Sequence, residues 1–303
     1  MAITAKEVQA LREKTGVGMM ECKKALVASD GDMDKAVEYL REKGLAASVK
    51  KGGRIAAEGA AYAAVIDGVG VVVEVNAETD FVGKNEKFVE FVHGVAAVVA
   101  KENPADLDAL MVAPYGNGRS VQEEQQEMVL VIGENIKVRR FARFDTGVSV
   151  AYVHAGGKIG VLVNFESDLS ADKVEAFGRD VAMQIAAMNP RFWDKTQVDD
   201  ATLEEEKKIM LTQMANDPKM AAKPDKVKEG IVTGKLRKFY EENCLLQQAF
   251  VKDGAVSVEQ YIANEAKAAG GAVTFKNAVR FEKGEGIEKK QENFAEEIAK
   301  LQK

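Results

Sequence analysis

Two cysteines and two histidines in 303 residues leave little of the side-chain chemistry on which most enzymes and metal proteins rest. Cys22 and Cys244 lie far apart, which excludes a disulfide framework and a cysteine-ligated zinc site. His93 and His154 belong to no His-x-x-x-His or Cys-His pattern. His93 falls among apolar residues of a predicted helix and reads as a packed or partly exposed structural side chain. There is no Gly-x-Ser-x-Gly elbow. Gly156-Gly157-Lys158 and Gly234-Lys235 lack the spacing of a phosphate loop, and Gly68-Val69-Gly70 reads as a turn. No catalytic residue, metal ligand or cofactor is therefore expected. No apolar run approaches the ~18–20 residues of a membrane span, and Met1 to Glu7 lacks the apolar core of a secretory leader. A reducing cytoplasm is the expected setting. Basic charge is in deficit, with 42 Lys and Arg against 48 Asp and Glu. That excludes a chain whose main work is wrapping nucleic acid. Lys50-Lys51, Arg139-Arg140 and the run Glu204 to Lys208 read as solvated surface charge.

What remains is an ordinary globular balance, 46% hydrophobic and 30% charged, in a chain long enough for two or three modules. Residues 1–49 read as three short helices. Thr4 with Glu7 forms a capping box ahead of Val8 and Leu11, and Gly16 ends the first turn. Met20, Cys22, Ala25 and Leu26 belong to a second helix. Asp32 or Asp34 caps a third, with Gly44 as its stop. Residues 50–58, with Lys50-Lys51-Gly52-Gly53, read as a flexible linker.

From Gly59 the period changes to that of strands. Tyr62 to Ile66, the turn Asp67-Gly68 and Val71 to Val75 predict a hairpin. Phe88, Phe91, Val92, Val95, Ala96 and Val99 fall at helical spacing, and Asn103-Pro104 closes that helix. The block then recurs. Gly59, Asn76, Glu78 and Asp80 align with Gly147, Asn164, Glu166 and Asp168 at a constant spacing of 88. The second helix carries Val174, Phe177, Val181 and Ile185, and it ends at Asn189-Pro190. The pattern predicts a duplicated core, 59–146 and 147–286, with Ile136 to Phe144 as a strand between the copies. Leu203 to Met214 and Val227 to Phe239, separated by Asp217-Pro218 and Pro224, predict an inserted helical hairpin at about 195–235. Ser257 to Ala266 follows as a helix and Val273 to Phe281 as a strand. Residues 287–303, with Phe294, Ile298 and Leu301 at helical spacing, predict a terminal amphipathic helix. The expected class is α+β: a three-helix module, then antiparallel sheets with helices.

Two segments invite contact with a partner. In the first, Leu11 to Leu26, Gly16 and Gly18 allow a tight turn and are followed by Met19-Met20. The expectation is that one of these methionines is exposed, where a flexible thioether suits an adaptable surface; the alternative is that both pack. In the second, Glu74 to Lys84, Thr79 or Asp80 is expected to cap the following helix and place Phe81 near its first turn. Phe81 then serves either as a projecting wedge or as a hydrophobic staple onto its own helix.

The first segment resembles the amino-terminal motif of the elongation factor Ts family, and Thr79-Asp80-Phe81-Val82 resembles that family's signature, with Gly83 as a departure. Gly133-Glu134-Asn135-Ile136 with Arg139-Arg140, and Arg280 to Lys289, are similar to the family as well. The resemblance implies a guanine-nucleotide exchange factor rather than an enzyme. Its partner is then elongation factor Tu, contacted on its GTPase domain and the adjacent domain. No direct nucleic-acid or membrane binding is expected, and homodimerisation of the complex stays open. The three helices would be of the ubiquitin-associated kind, with Arg12, Met19 and Met20 at the matching contact positions. Thr79, Asp80, Phe81 and Val82 would enter the GTPase near its Mg²⁺. His154 matches a second core contact, although its neighbours Ala155-Gly156-Gly157 depart from the usual pattern. The helical hairpin matches a coiled-coil insertion. A binding adaptor that tethers a GTPase without changing its nucleotide is the alternative, and a small-molecule enzyme a distant third.

Overall fold

The structure, a computed structural model, describes residues 3–288. Phe294, Ile298 and Leu301 of the expected terminal helix lie outside the described residues. The described residues divide into two compact units, one made of 3–143, 153–160 and 281–288, the other of 144–152 and 161–280.

In the first unit, α1 (Ala5–Thr15) starts at Thr4, whose hydroxyl accepts the Glu7 N–H while the Glu7 carboxylate accepts the Thr4 N–H. It stops at Gly16, in the left-handed region at φ 70°. Next come α2 (Met19–Ala28) and α3 (Met33–Lys51), the latter capped by Asp32. The hairpin β1 (Glu58–Ile66) and β2 (Val69–Ala77) is antiparallel, and it turns at Asp67 and Gly68 with φ of 51° and 82°. Positive φ at both residues is what a two-residue turn between right-twisted strands requires. After the hairpin come α4 (Glu86–Glu102), α5 (Leu107–Val112), α6 (Val121–Ile132) and β3 (Lys137–Phe144), with sheet order β1-β2-β3. The apolar face of α4 covers the sheet: Phe88, Phe91, Val95 and Val99 pack with Val71, Val73 and Val75 in one core.

Gly44 does not stop α3, which continues through it to Lys51, so the first part of the expected linker is helical. Gly44 is buried, and a Cβ there would stand 3.3 Å from the Gln126 carbonyl of α6. The glycine lets two helices approach closely rather than ending one. Leu130 and Val131 of α6 accordingly pack against the small core of α1 to α3.

The second unit repeats the plan. It contains most of β4 (Val148–His154) and β5 (Ile159–Ser167), then α7 (Ala171–Met188), α8 (Asp200–Asn216), α9 (Pro218–Ala221) and α10 (Asp225–Asn243). The short pair β6 (Ala249–Phe250) and β7 (Asp253–Ser257), α11 (Val258–Ala269) and β8 (Val273–Glu282) complete it, in sheet order β4-β5-β8. The repeat is detailed. The Asn76 amide donates to the Glu58 carbonyl, and the Asn164 amide donates to the Thr146 carbonyl. Both α4 and α7 end on a left-handed asparagine, Asn103 and Asn189, and both α6 and α11 end on a left-handed glycine, Gly133 and Gly270. The helical hairpin is α8 against α10. It reaches to Asn243, beyond the expected 235, because Phe239 still packs with Met210, Val198 and Cys244. Among the described residues no helix is long and apolar enough to cross a membrane. The observed class is α+β with antiparallel sheets, as expected.

Candidate functional site

Glu74 is fully buried in β2, where an unpaired charge would be strongly disfavoured. Donors converge on it from Arg139 at 2.9 Å, Arg140, the Asn76 amide at 3.0 Å and the Gly284 N–H at 2.8 Å. Burial pushes its pKa up, but the Gly284 N–H, the Asn76 amide and the two guanidinia outweigh that and hold it below the ordinary carboxylate value. Arg140 also reaches Glu285 and lies over the Phe281 ring. Lys283 pairs with Glu58 at 2.6 Å. Arg139-Arg140 are thus internal counter-charges rather than solvated surface charge. The 281–287 segment is bound firmly to the β-strand that ends at the Thr79 loop.

That loop rests on a second set of bonds. Glu134 Oε2 accepts from the N–H groups of Glu78 at 3.0 Å and Thr79 at 2.9 Å, and its Oε1 accepts from the Thr79 hydroxyl at 2.6 Å. In return the Glu78 carboxylate accepts from the Asn135 N–H at 2.7 Å. Neither Thr79 nor Asp80 caps α4. Asn85 does, accepting from the N–H groups of Lys87 and Phe88, because a short 3-10 turn over Val82–Lys84 separates the loop from the helix. Val82 is buried in the core and anchors the far side of the loop, so of the four expected contact residues it faces inward. Phe81 is 80% exposed. The staple reading fails, since a stapled ring would be covered by its own helix. Asp80 is exposed beside it.

His154 is exposed at the end of β4, just before a turn in which Ala155, Gly156 and Gly157 all take positive φ. The turn lies against β1: the Ala61 N–H donates to the Gly157 carbonyl at 2.8 Å, and a Cβ on Gly157 would stand 3.2 Å from that of Ala60. An apolar cleft of about 250 Å³ is bordered by Gly83 of the tip loop, by Gly156 and Gly157 of this turn, and by Tyr62, whose ring lies 4.3 Å from that of His93. The Phe81 loop and the His154 turn therefore flank one cleft, and His93 lines it rather than lying in the core.

Met19 and Met20 are both exposed, by 47% and 65%, where exposure of one was expected, and the alternative that both pack fails. Gly18 caps α2 and leaves its first turn outside the little core formed by Leu11, Cys22 and Leu26. Met19 and Arg12 share an open groove with Lys87 of α4, whose ammonium donates to the Gly16 carbonyl at 3.3 Å. Among the described residues no three His, Cys, Asp or Glu side chains are grouped to hold a metal ion. Sequence reasoning gave Glu78 and Glu134 no individual role. Glu134 stood inside a quoted motif, but nothing in a single sequence pairs it with a loop 55 residues away.

The fold and its surface define an α+β protein that presents exposed apolar side chains on a braced loop, at Phe81, and on the first turn of a helix, at Met19 and Met20. The sequence model described as Elongation factor TS matches residues 78–285. Curated relatives described as Elongation factor Ts include one from Clostridium perfringens, 47% identical over 99% of both chains. Others come from Syntrophotalea carbinolica, 47% identical over the whole of both chains, and Clostridium botulinum, 46% identical over 98% of both. The chain belongs to the elongation factor Ts family.

Proposed function

We propose that this protein is a guanine-nucleotide exchange factor for elongation factor Tu, working in the cytoplasm and without bond-making chemistry of its own. The observation that carries this reading is Phe81, an aromatic ring left 80% exposed on a loop braced on both sides. In the proposed complex Phe81 and Asp80 enter the GTPase near its Mg²⁺, Thr79 and Val82 hold them in place, and His154 makes a second contact across the adjoining cleft. Arg12, Met19 and Met20 bind the GTPase domain through the three-helix module. The α8–α10 hairpin, read as a coiled-coil insertion, is a further surface for the partner or for dimerisation of the complex.

Mg²⁺ bridges nucleotide phosphates and protein oxygens, so displacing it removes much of the nucleotide's hold. A protein that binds the nucleotide-free GTPase better than the loaded one lowers nucleotide affinity by the same factor. Burying one phenylalanine supplies ~1.5–3 kcal/mol. At ~1.4 kcal/mol per decade, Phe81 accounts for about one or two decades of release rate. The remainder falls to the distributed surfaces.

The test is release of fluorescent GDP from elongation factor Tu. Phe81→Ala is expected to slow release more than about tenfold with its circular dichroism and melting curve unchanged. Binding with a flat release rate in the unaltered protein would instead mark a tethering adaptor.

A further inference from the structure

The two copies of the repeat hold their acidic tips differently. In the second copy Asp168 is consumed by the fold. Its carboxylate accepts the Ala272 N–H at 2.7 Å, in the loop that follows α11, and Ser167 donates to the Ala272 carbonyl. A Cβ on Gly271 would collide with the Asp168 carboxylate and with Leu169, so a side chain there would have to displace them. In the first copy the matching loop follows α6. There the backbone N–H in the place of Ala272 belongs to Asn135, and it is taken by Glu78, two residues before Asp80. The position matching Gly271 carries a side chain, Glu134, which binds Thr79 and the two N–H groups of the loop base.

We propose that Glu134 and Glu78 are positioning residues: Glu78 takes over the bond that Asp168 makes in the second copy, Glu134 ties down the base of the loop, and together they leave Asp80 and Phe81 outward-facing for the partner. Three donors on one carboxylate fix both the direction of the strand end and the rotamer of Thr79. Without them the two N–H groups at the base of the loop lose their acceptor, and the tip that carries Asp80 and Phe81 loses its brace. The inference rests on the proposed exchange function for its kinetic arm and on the fold alone for its structural arm.

The experiment combines both arms on the full-length chain. Amide hydrogen exchange of the free protein reads Glu78 and Thr79 directly, and Glu134→Ala is expected to lower their protection at least about tenfold. In GDP release from elongation factor Tu at saturating exchange factor, Glu134→Ala is expected to slow release about tenfold. Glu134→Gln retains an acceptor oxygen and is expected to stay within about threefold of the unaltered protein. In the Phe81→Ala background Glu134→Ala is expected to add little, because both changes disable one tip. Unchanged amide protection, or losses that multiply in the double variant, would overturn the positioning role. Normal release by Phe81→Ala alone would instead strike at the exchange reading, leaving the amide measurement to judge Glu134.

Discussion

Glu74 sits in the middle of β2 with no exposed surface, and donors from three separate chain segments reach its carboxylate. Its pKa is lower in the folded chain than the ordinary value of 4.5, since the surrounding donors outweigh burial. A depressed folded pKa contributes stability above the unfolded value, and that contribution fades as pH falls through the folded one. Glu74→Gln is therefore expected to cost ~3 kcal/mol at pH 7, by leaving the partly buried Arg139 without its counter-charge and Arg140 with Glu285 alone. The gap between variant and unaltered protein should narrow in urea titrations run below about pH 4. A gap of the same size at both pH values would show that lost packing, not charge, is responsible. Residues of this kind were the least legible in the sequence. Arg139-Arg140 looked like surface charge because adjacent cations usually are, and only the three-dimensional pairing with Glu74 says otherwise. Phe81 was legible as a candidate, whereas wedge and staple share one sequence and differ only in which way the ring points.

Elements were legible where a local signal exists. Thr4 with Glu7, the Asp67-Gly68 turn and the Asn103 stop all act within a few residues of themselves, and all stand as expected. The stretch holding α5 and α6 went unassigned although Ser120 with Glu123 forms a capping box and Gly133 a left-handed stop. Gly44 misled for the opposite reason: glycine at a helix end and glycine at a helix crossing are the same letter. The crossing makes a prediction. Gly44→Val must push its side chain into the Gln126 backbone of α6, and overpacking of this sort costs ~1–3 kcal/mol. A lowered thermal midpoint is expected, with the exposed methionines Met19 and Met20 retained. An unchanged or raised midpoint would mean that α3 and α6 part easily. Gly18→Ala, with open space around its missing Cβ, is the matched control.

Across the whole molecule, the duplication was visible at the constant spacing of 88 because asparagine and glycine each serve the same backbone geometry twice. The closure of the first unit by residues 281–287 was not, since pairing between positions 210 apart leaves no periodic trace. Ending the chain at 280 removes the Gly284 N–H from Glu74 and Lys283 from Glu58. The shortened protein is expected to lose amide protection along β2 around Glu74 more than along α7, read by hydrogen exchange. Equal protection in both forms would show that this segment is only laid on the surface.

That same closure sets an order of events during synthesis. The ribosome releases Glu74 long before it reaches Gly284, and until then the acid has Asn76 and its two arginines but lacks its backbone donor. The amino-terminal half thus lacks one bond to its central strand while the second copy emerges. Chains abandoned before Gly284 should therefore be looser around β2 and more open to proteolysis.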